Sequence, residues 1–313
     1  MRWLKRGHVF VPTGQHEWMQ CFAQVPRGLL LDDRLRMYFT CRPKPDPAGD
    51  FISYTAYVDL DKLNPTRVLD VCNEPAMVLG SPGTFDCHGI MPGTAILCGR
   101  ELRMYYTGWN RTIGVPYNQA VGLAISGDNG RTFQRTHVGP ILSRTREEGF
   151  LQNGPFVMLE NDVFHMWYSS GTGWLSTGDK LECVYVLMHA TSRDGIEWKR
   201  EGRSCMPAII TDECQNCPTV VHLAGLYHMW FCFRPPVDFR RSGTGYRLGH
   251  AVSKDLMTWH RDDVEGDIPL SMQGWDSSMI CYPWVQRIGD EVHLFYCGNG
   301  MGKSGFGFAT LVQ

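Results

Sequence analysis

Carboxylates recur at one place in this 313-residue sequence, just ahead of short apolar runs: Asp86 before Gly89-Ile90, Glu213 before Cys214, and Asp276 before Cys281-Tyr282-Pro283. Acids delivered from separate segments in that way suit the cleavage of a glycosidic bond. One carboxylic acid protonates the departing oxygen, and a second acts as base or nucleophile against an oxocarbenium-like transition state. Asp86, Glu213 and Asp276 are therefore the expected catalytic set. Glu17, Gln24, His88, Trp109, Arg111, Asn153, Arg247, Tyr282 and Asn299 occupy neighbouring loop or strand-end positions and are the expected substrate contacts. His88 stands out because it sits beside Asp86 and an imidazole titrates near neutrality. Trp109 offers a flat apolar face to a sugar ring, although each tryptophan taken singly is as readily a packing residue. Arg111, Arg234, Arg240, Arg241, Arg247 and Lys303 lie in loops that could face the same place. Convergence of two or three of them would suit phosphate oxygens or a sugar phosphate, because guanidinium grips such oxygens bidentately.

No metal and no cofactor are expected. Cys214-x-x-Cys217 is half of a zinc-binding spacing with no second half, and Gly298-Asn-Gly-Met-Gly302 lacks the Lys-Ser/Thr ending of a phosphate-binding loop. The turns Ser126-Gly-Asp-Asn-Gly, Ser192-Arg-Asp-Gly and Ser253-Lys-Asp-Leu carry turn chemistry and mark the fold.

The elements that must position these residues are announced by a repeat. One aromatic, β-rich phrase occurs five times: Leu35-Arg-Met-Tyr-Phe-Thr40, Leu102-Arg-Met-Tyr-Tyr-Thr107, Phe164-His-Met-Trp-Tyr-Ser169, Tyr227-His-Met-Trp-Phe-Cys232 and Val292-His-Leu-Phe-Tyr-Cys297. With Met37, Met104, Met166, Met229 and Leu294 as register marks, the steps are 67, 62, 63 and 65 residues. A shorter apolar run precedes each phrase and another strand-like run follows most of them, separated by Gly, Asn and Asp turn residues. Five units of three or four strands, with almost no helical periodicity, predict an all-β, five-bladed β-propeller filling residues 1–313 as a single domain. A propeller collects its ligand groups at the mouth of the central channel, so residues entering each first strand are the ones to examine.

Composition narrows the partners. With 30 Lys+Arg against 32 Asp+Glu the formal charge is −2, which lacks the basic footprint of nucleic-acid binding. No apolar run approaches the ~20 residues of a membrane span. The twelve cysteines mostly sit within apolar strand-like stretches, as free buried thiols do, so a cytoplasmic location is expected. The sequence leaves oligomeric state open.

Certain phrases carry a family likeness: Ala23-Gln-Val-Pro26, Gly83-Thr-Phe-Asp86, Tyr105-Tyr-Thr-Gly-Trp-Asn-Arg111 with Val115-Pro-Tyr117, Gly139-Pro-Ile-Leu142, and Gly274-Trp-Asp-Ser277 through Cys281-Tyr-Pro283 to Gly298-Asn-Gly300 and Gly305-Phe-Gly307. Over nearly its whole length the sequence resembles the five-bladed propeller glycosidase superfamily, which includes glycoside hydrolase families 32, 43, 62, 68 and 130. More narrowly it is similar to bacterial proteins labelled as glycosidases that accompany sugar or surface-polysaccharide biosynthesis genes. The resemblance implies three acids from different blades, with Asp86, Glu213 and Asp276 the matching positions and Glu17 a poor match in the first blade. It departs in two places: Asp86-Cys87-His88-Gly89 stands where the subgroup has Asp-Asp-Ser-Gly, and Phe22 where a histidine is expected. The expectation is a glycoside hydrolase-like enzyme acting on a small glycoside, activated sugar or sugar phosphate. A glycoside phosphorylase or other non-hydrolytic transferase, and a non-catalytic carbohydrate-binding propeller, are the alternatives.

Overall fold

The computed structural model describes residues 1–178, 180–240 and 243–312, so the candidate cation Arg241 lies outside the described residues. After an initial strand β1 (Arg2–Phe10), the first blade is built from β2 (Cys21–Leu30), β3 (Leu35–Arg42), β4 (Tyr54–Leu60) and β5 (Val68–Val71). The second follows as β6 (Gly89–Cys98), β7 (Glu101–Arg111), β8 (Tyr117–Ser126) and β9 (Gln134–Arg135). The third comprises β10 (Gln152–Glu160), β11 (Val163–Thr177), β12 (Lys180–Ser192) and β13 (Lys199–Ser204), and the fourth β14 (Cys214–Leu223), β15 (Leu226–Arg234), β16 (Arg247–Ser253) and β17 (His260–Arg261). In the fifth, β18 (Cys281–Ile288), β19 (Glu291–Cys297) and β20 (Phe306–Val312) are completed by β1, which pairs antiparallel with β20. Five antiparallel four-stranded sheets make the expected five-bladed β-propeller, and the N-terminal strand closes it.

The repeated phrase is the second strand of each blade. A middle strand is covered by a blade on either side, so it buries both faces and reads as unbroken aromatics where a half-exposed strand would alternate. Met37, Tyr38, Phe39, Met104, Tyr105, Tyr106, Met166, Trp167 and Tyr168 are all buried. Neighbouring blades are stitched by their side chains. Tyr38 donates to the Gly130 carbonyl (2.6 Å) and Tyr105 to the Gly195 carbonyl (3.0 Å), both in the Ser-x-Asp turn of the next blade. Within that turn Ser126 Oγ accepts from the Gly130 amide (2.9 Å) and Asp128 from the Arg131 and Thr132 amides. Gly130 is needed for close approach as well as for its φ of +77°, since a Cβ there would lie 2.3 Å from the Tyr38 hydroxyl.

His165, His228 and His293 share one repeat position without converging. His165 pairs with His189 and His228 with His250, each at 3.1 Å between ring nitrogens, while His293 faces Thr310. Burial lowers His189 to about 3 and His228 to about 4. Both rings are neutral in the folded protein and protonate below pH 6.5 in the unfolded one. The unfolded state therefore binds more protons in that window, and stability falls as pH drops from 6.5 toward the folded values. At ~1.4 kcal/mol per pH unit, each histidine should remove roughly 2 kcal/mol of unfolding free energy between pH 7 and 5. Urea titrations at the two pH values check this, and a His189→Gln variant with an unchanged pH slope would count against it.

Candidate functional site

Every inner strand is interrupted at the same place. Register breaks fall between Gln24 and Arg27, Pro92 and Ala95, Asn153 and Phe156, Asn216 and Thr219, and Cys281 and Trp284. In four blades a residue of positive φ precedes a proline: Val25 (φ 55°), Gly154 (61°), Cys217 (52°) and Tyr282 (56°). Proline cannot donate to a ladder, so these strands must bulge there, and a bulge re-aims the residues around it. Positive φ is uncommon for a β-branched valine and marks a conformation held by its surroundings. The bulges of all five inner strands line one cavity of about 260 Å³ on the propeller axis. Below them the channel is filled: Arg27 is fully buried, stacks on Trp284 and donates to the Pro26 and Pro283 carbonyls.

Three amides sit at equivalent positions of this floor. Gln24 donates to the Met301 carbonyl (2.6 Å), Asn153 to Gln119 Oε1 (2.8 Å), and Asn216 Oδ1 accepts from Ser169 and from the Cys217 amide. Trp109 forms part of the wall, with its indole N–H donated to Ser53 Oγ at 2.7 Å. Another wall is a cationic and phenolic cluster. Arg234 donates to Tyr246 Oη (3.0 Å) and Tyr185 Oη (3.1 Å), the two phenols touch at 2.5 Å, and the guanidinium lies 3.6 Å from the Phe239 ring centre. Burial pushes the Tyr185, Tyr246 and Tyr282 phenols well above their ordinary range, so all three stay protonated. Among the described residues the lining includes three arginines, Arg42, Arg234 and Arg240, and one carboxylate, Glu182, which accepts from Arg240. Its net charge is positive in a protein whose formal charge is −2.

Of the residues expected from sequence, Gln24, Trp109, Asn153 and Tyr282 meet in this cavity, as do Arg234 and Arg240 of the candidate cations. The three acids do not line it. Asp86 is fully buried against Arg135 (2.6 Å), Tyr106 Oη (3.0 Å) and Thr84 (2.9 Å). Glu213 is buried against Arg261 (2.7 Å), Gln215 (2.9 Å) and the Ile209 amide (3.1 Å). Asp276 is buried against Lys5 (2.7 Å) and Tyr296 Oη (3.0 Å). Glu148 repeats the pattern in the third blade, with Arg200 at 3.2 Å and Tyr168 Oη at 2.8 Å. In four blades, then, an acid entering the inner strand is tied to a cation on the outermost strand, and in three of them to a middle-strand tyrosine. The bond spans the breadth of the blade, which accounts for its recurrence.

The remaining candidates also lie outside the lining. Glu17 is exposed. His88 leans on Trp109 with ring centres 6.1 Å apart and touches Cys87 Sγ at 3.1 Å; burial and the neighbouring Arg111 lower its pKa. Arg111 donates to the Phe51 carbonyl, Arg247 is capped by carbonyls including those of Tyr246 and Ser278, and Asn299 Oδ1 holds the Ser278 and Met279 amides. No cluster of His, Cys, Asp or Glu among the described residues could hold a metal ion, and all twelve cysteines are free.

Sequence reasoning passed over Arg42, Tyr117, Gln119, Glu182, Tyr185 and Tyr246. A signal for part of this set was present: five residues beyond the register marks Met37, Met104 and Met229 stand Arg42, Trp109 and Arg234, all at the cavity end of a middle strand.

No protein-family model matches the sequence. It is 34% identical over 313 residues to the uncharacterized protein Rv1502 of Mycobacterium tuberculosis (strain ATCC 25618 / H37Rv), with 99% of each protein covered. The chain thus belongs to the Rv1502 family. MT1551 of strain CDC 1551 / Oshkosh matches it to the same extent. Solved structures similar to this Rv1502-family protein include a glycoside hydrolase (TM-score 0.74, 19% identity, 98% of this protein and 90% of that one). An RGII complex of BT0996 is similar too (TM-score 0.72, 18% identity, 98% and 91%). So is a structure from the GH130 family of mannoside phosphorylases, described as containing glycoside hydrolases that target β-1,2 mannosidic linkages in Candida mannan (TM-score 0.71, 16% identity, 99% and 93%). The Rv1502-family protein therefore shares a five-bladed β-propeller fold with these structures.

Proposed function

We propose that the protein holds a small carbohydrate in its axial cavity, and that it does not hydrolyse glycosides through a pair of carboxylates. One observation carries this reading: among the described residues the cavity presents amides, phenols, an indole face and arginines, with a single carboxylate already engaged by Arg240. Amide and phenol groups suit sugar hydroxyls, and Trp109, held by Ser53, supplies a fixed face for a ring. Two-carboxylate hydrolysis needs both an acid and a base or nucleophile within about 5–10 Å of each other across the scissile bond. Asp86, Glu213 and Asp276 are committed instead to buried ion pairs. A second reading, transfer to phosphate, is favoured by Glu182 lying among arginines: phosphate would supply the nucleophile and only one carboxyl would be required.

Calorimetric titration of methyl glycosides and hexose phosphates should reveal saturable binding. Trp109→Ala and Asn153→Ala should each weaken it roughly tenfold, the scale of one lost hydrogen bond or ring contact. In the same samples, nitrophenyl glycosides in ¹⁸O-water should yield no labelled sugar. Label incorporation abolished by Asp86→Asn or Glu213→Gln would overturn the proposal. Phosphate-dependent formation of a sugar phosphate would select the second reading.

A further inference from the structure

We infer that Arg42 is an oxyanion subsite of the axial cavity, so that the carbohydrate held there carries a phosphate or carboxylate group. The inference rests on the carbohydrate reading above and names the class of ligand. Arg42 ends β3 and lines the cavity. Its guanidinium carbon lies 4.6 Å from the Phe22 ring centre and 5.2 Å from that of Phe51, and the two rings meet edge to face. Nε is fully buried and has no hydrogen-bond partner. Among the described residues no carboxylate pairs with Arg42. The other two arginines of the lining are committed, Arg234 to two phenols and neighbouring carbonyls and Arg240 to Glu182.

The groups around Arg42 do not neutralise it. Burial raises the Cys21 thiol despite Arg42 and Lys303 nearby, and burial also keeps the Tyr282 phenol protonated. Asp46 and Asp50, on the loop that follows Arg42, turn toward Arg111 at 3.6 and 3.7 Å, and Arg111 in turn holds the Phe51 carbonyl at 2.7 Å. Local backbone is committed to the clamp as well: Phe22 sits at φ 65°, an uncommon conformation for a bulky residue. An arginine remains charged when buried, and a planar fork of unengaged donors set in the corner of two rings that meet edge to face matches the bidentate geometry of phosphate or carboxylate oxygens. A neutral sugar would leave that charge uncompensated in the occupied cavity.

The test uses calorimetry on the full-length protein to compare matched ligands: the 1-phosphates, hexuronates and methyl glycosides of glucose, galactose and mannose, with inorganic phosphate alone as a further probe. At least one anionic sugar should bind ~10- to 100-fold more tightly than its methyl glycoside, the range of a charge-assisted hydrogen-bonded contact. Preference for 1-phosphates or for uronates identifies which oxyanion the site takes. Arg42→Met should abolish the preference, so that anionic sugars and their methyl glycosides bind about equally, and Arg42→Lys should restore part of it. Equal affinity for neutral and anionic sugars in the wild-type protein overturns the inference and leaves the carbohydrate reading intact. Binding of inorganic phosphate, lost in Arg42→Met, without binding of any sugar would support the anion subsite and sink the carbohydrate reading. No binding of any probe overturns both, and a preference that survives Arg42→Met removes Arg42 from the subsite.

Discussion

Truncating Glu213 to alanine is expected to lower the unfolding free energy by about 3–5 kcal/mol, the cost of leaving one member of a buried ion pair alone. Glu213 is 1% exposed and accepts from Arg261, Gln215 and the Ile209 amide. Its loss leaves the Arg261 side chain, 4% exposed, with Asp263 as its one carboxylate partner among the described residues beside the Pro207 carbonyl, and takes from the Gln215 amide the shortest of its hydrogen bonds. Asp86→Ala should behave alike, because Arg135 and Tyr106 lose the same kind of partner. The double variant Glu213→Met/Arg261→Met should recover much of the loss, since apolar groups of similar volume can replace a buried pair at little cost. Urea unfolding measures the stability and calorimetry with the same sugar measures the site. The structural role requires a large fall in midpoint with affinity kept in the folded fraction. A catalytic role requires the opposite: Asp86→Asn and Glu213→Gln variants of wild-type stability in which an otherwise measurable turnover has disappeared.

Deleting residues 1–11 should abolish cooperative folding. β1 pairs with β20 from Arg2↔Val312 to Phe10↔Phe306, and its side chains reach beyond the fifth blade. Trp3 packs edge-on against Trp230 of the fourth blade with ring centres 5.4 Å apart, and Phe10 lies 5.2 Å from Phe39 of the first. Lys5 completes the fifth blade's ion pair with Asp276. Losing a buried tryptophan and a buried phenylalanine costs about 3–5 kcal/mol each, and the stranded Asp276 adds a comparable amount. Together these approach or exceed the ~5–15 kcal/mol that stabilises an ordinary domain. The truncated protein should lose its near-ultraviolet dichroism and show no sharp urea transition, and a synthetic peptide of residues 1–12 should restore part of both. A sharp transition close to that of the full-length protein would show that the ring holds without its closing strand.

The fold was legible because burial on two faces leaves an unmistakable mark. A middle strand enclosed by neighbouring blades must be apolar and aromatic throughout, so five copies of one phrase at steps of 62 to 67 residues counted the blades directly. A smaller part of the cavity was legible for a related reason. Gln24 and Asn153 stand two residues before a proline that must bulge from its strand, as does Asn216, and that local chemistry does not depend on distant contacts.

The acids were expected at the cavity and do not line it, because position along a sequence does not disclose direction. Asp86, Glu213 and Asp276 do enter the inner strands of their blades, as expected, but each side chain turns to a cation that arrives 49 residues later, 48 residues later, or 271 residues earlier. Arg42 and Glu182 were passed over for the same reason. One became an unpaired cation only when Phe22 and Phe51 closed on it, and the other a cavity wall only when the β11–β12 hairpin and the loop bearing Arg240 came together.

By itself, then, the sequence determined the all-β class and the number of blades, both of which follow from the solvation demands on one repeated strand. Which carboxylates lock blades and, among the described residues, which carboxylate reaches the axis and which arginine is left without a counter-ion were decided by tertiary structure. A charge takes its role from the partner and the solvent that the completed ring places around it.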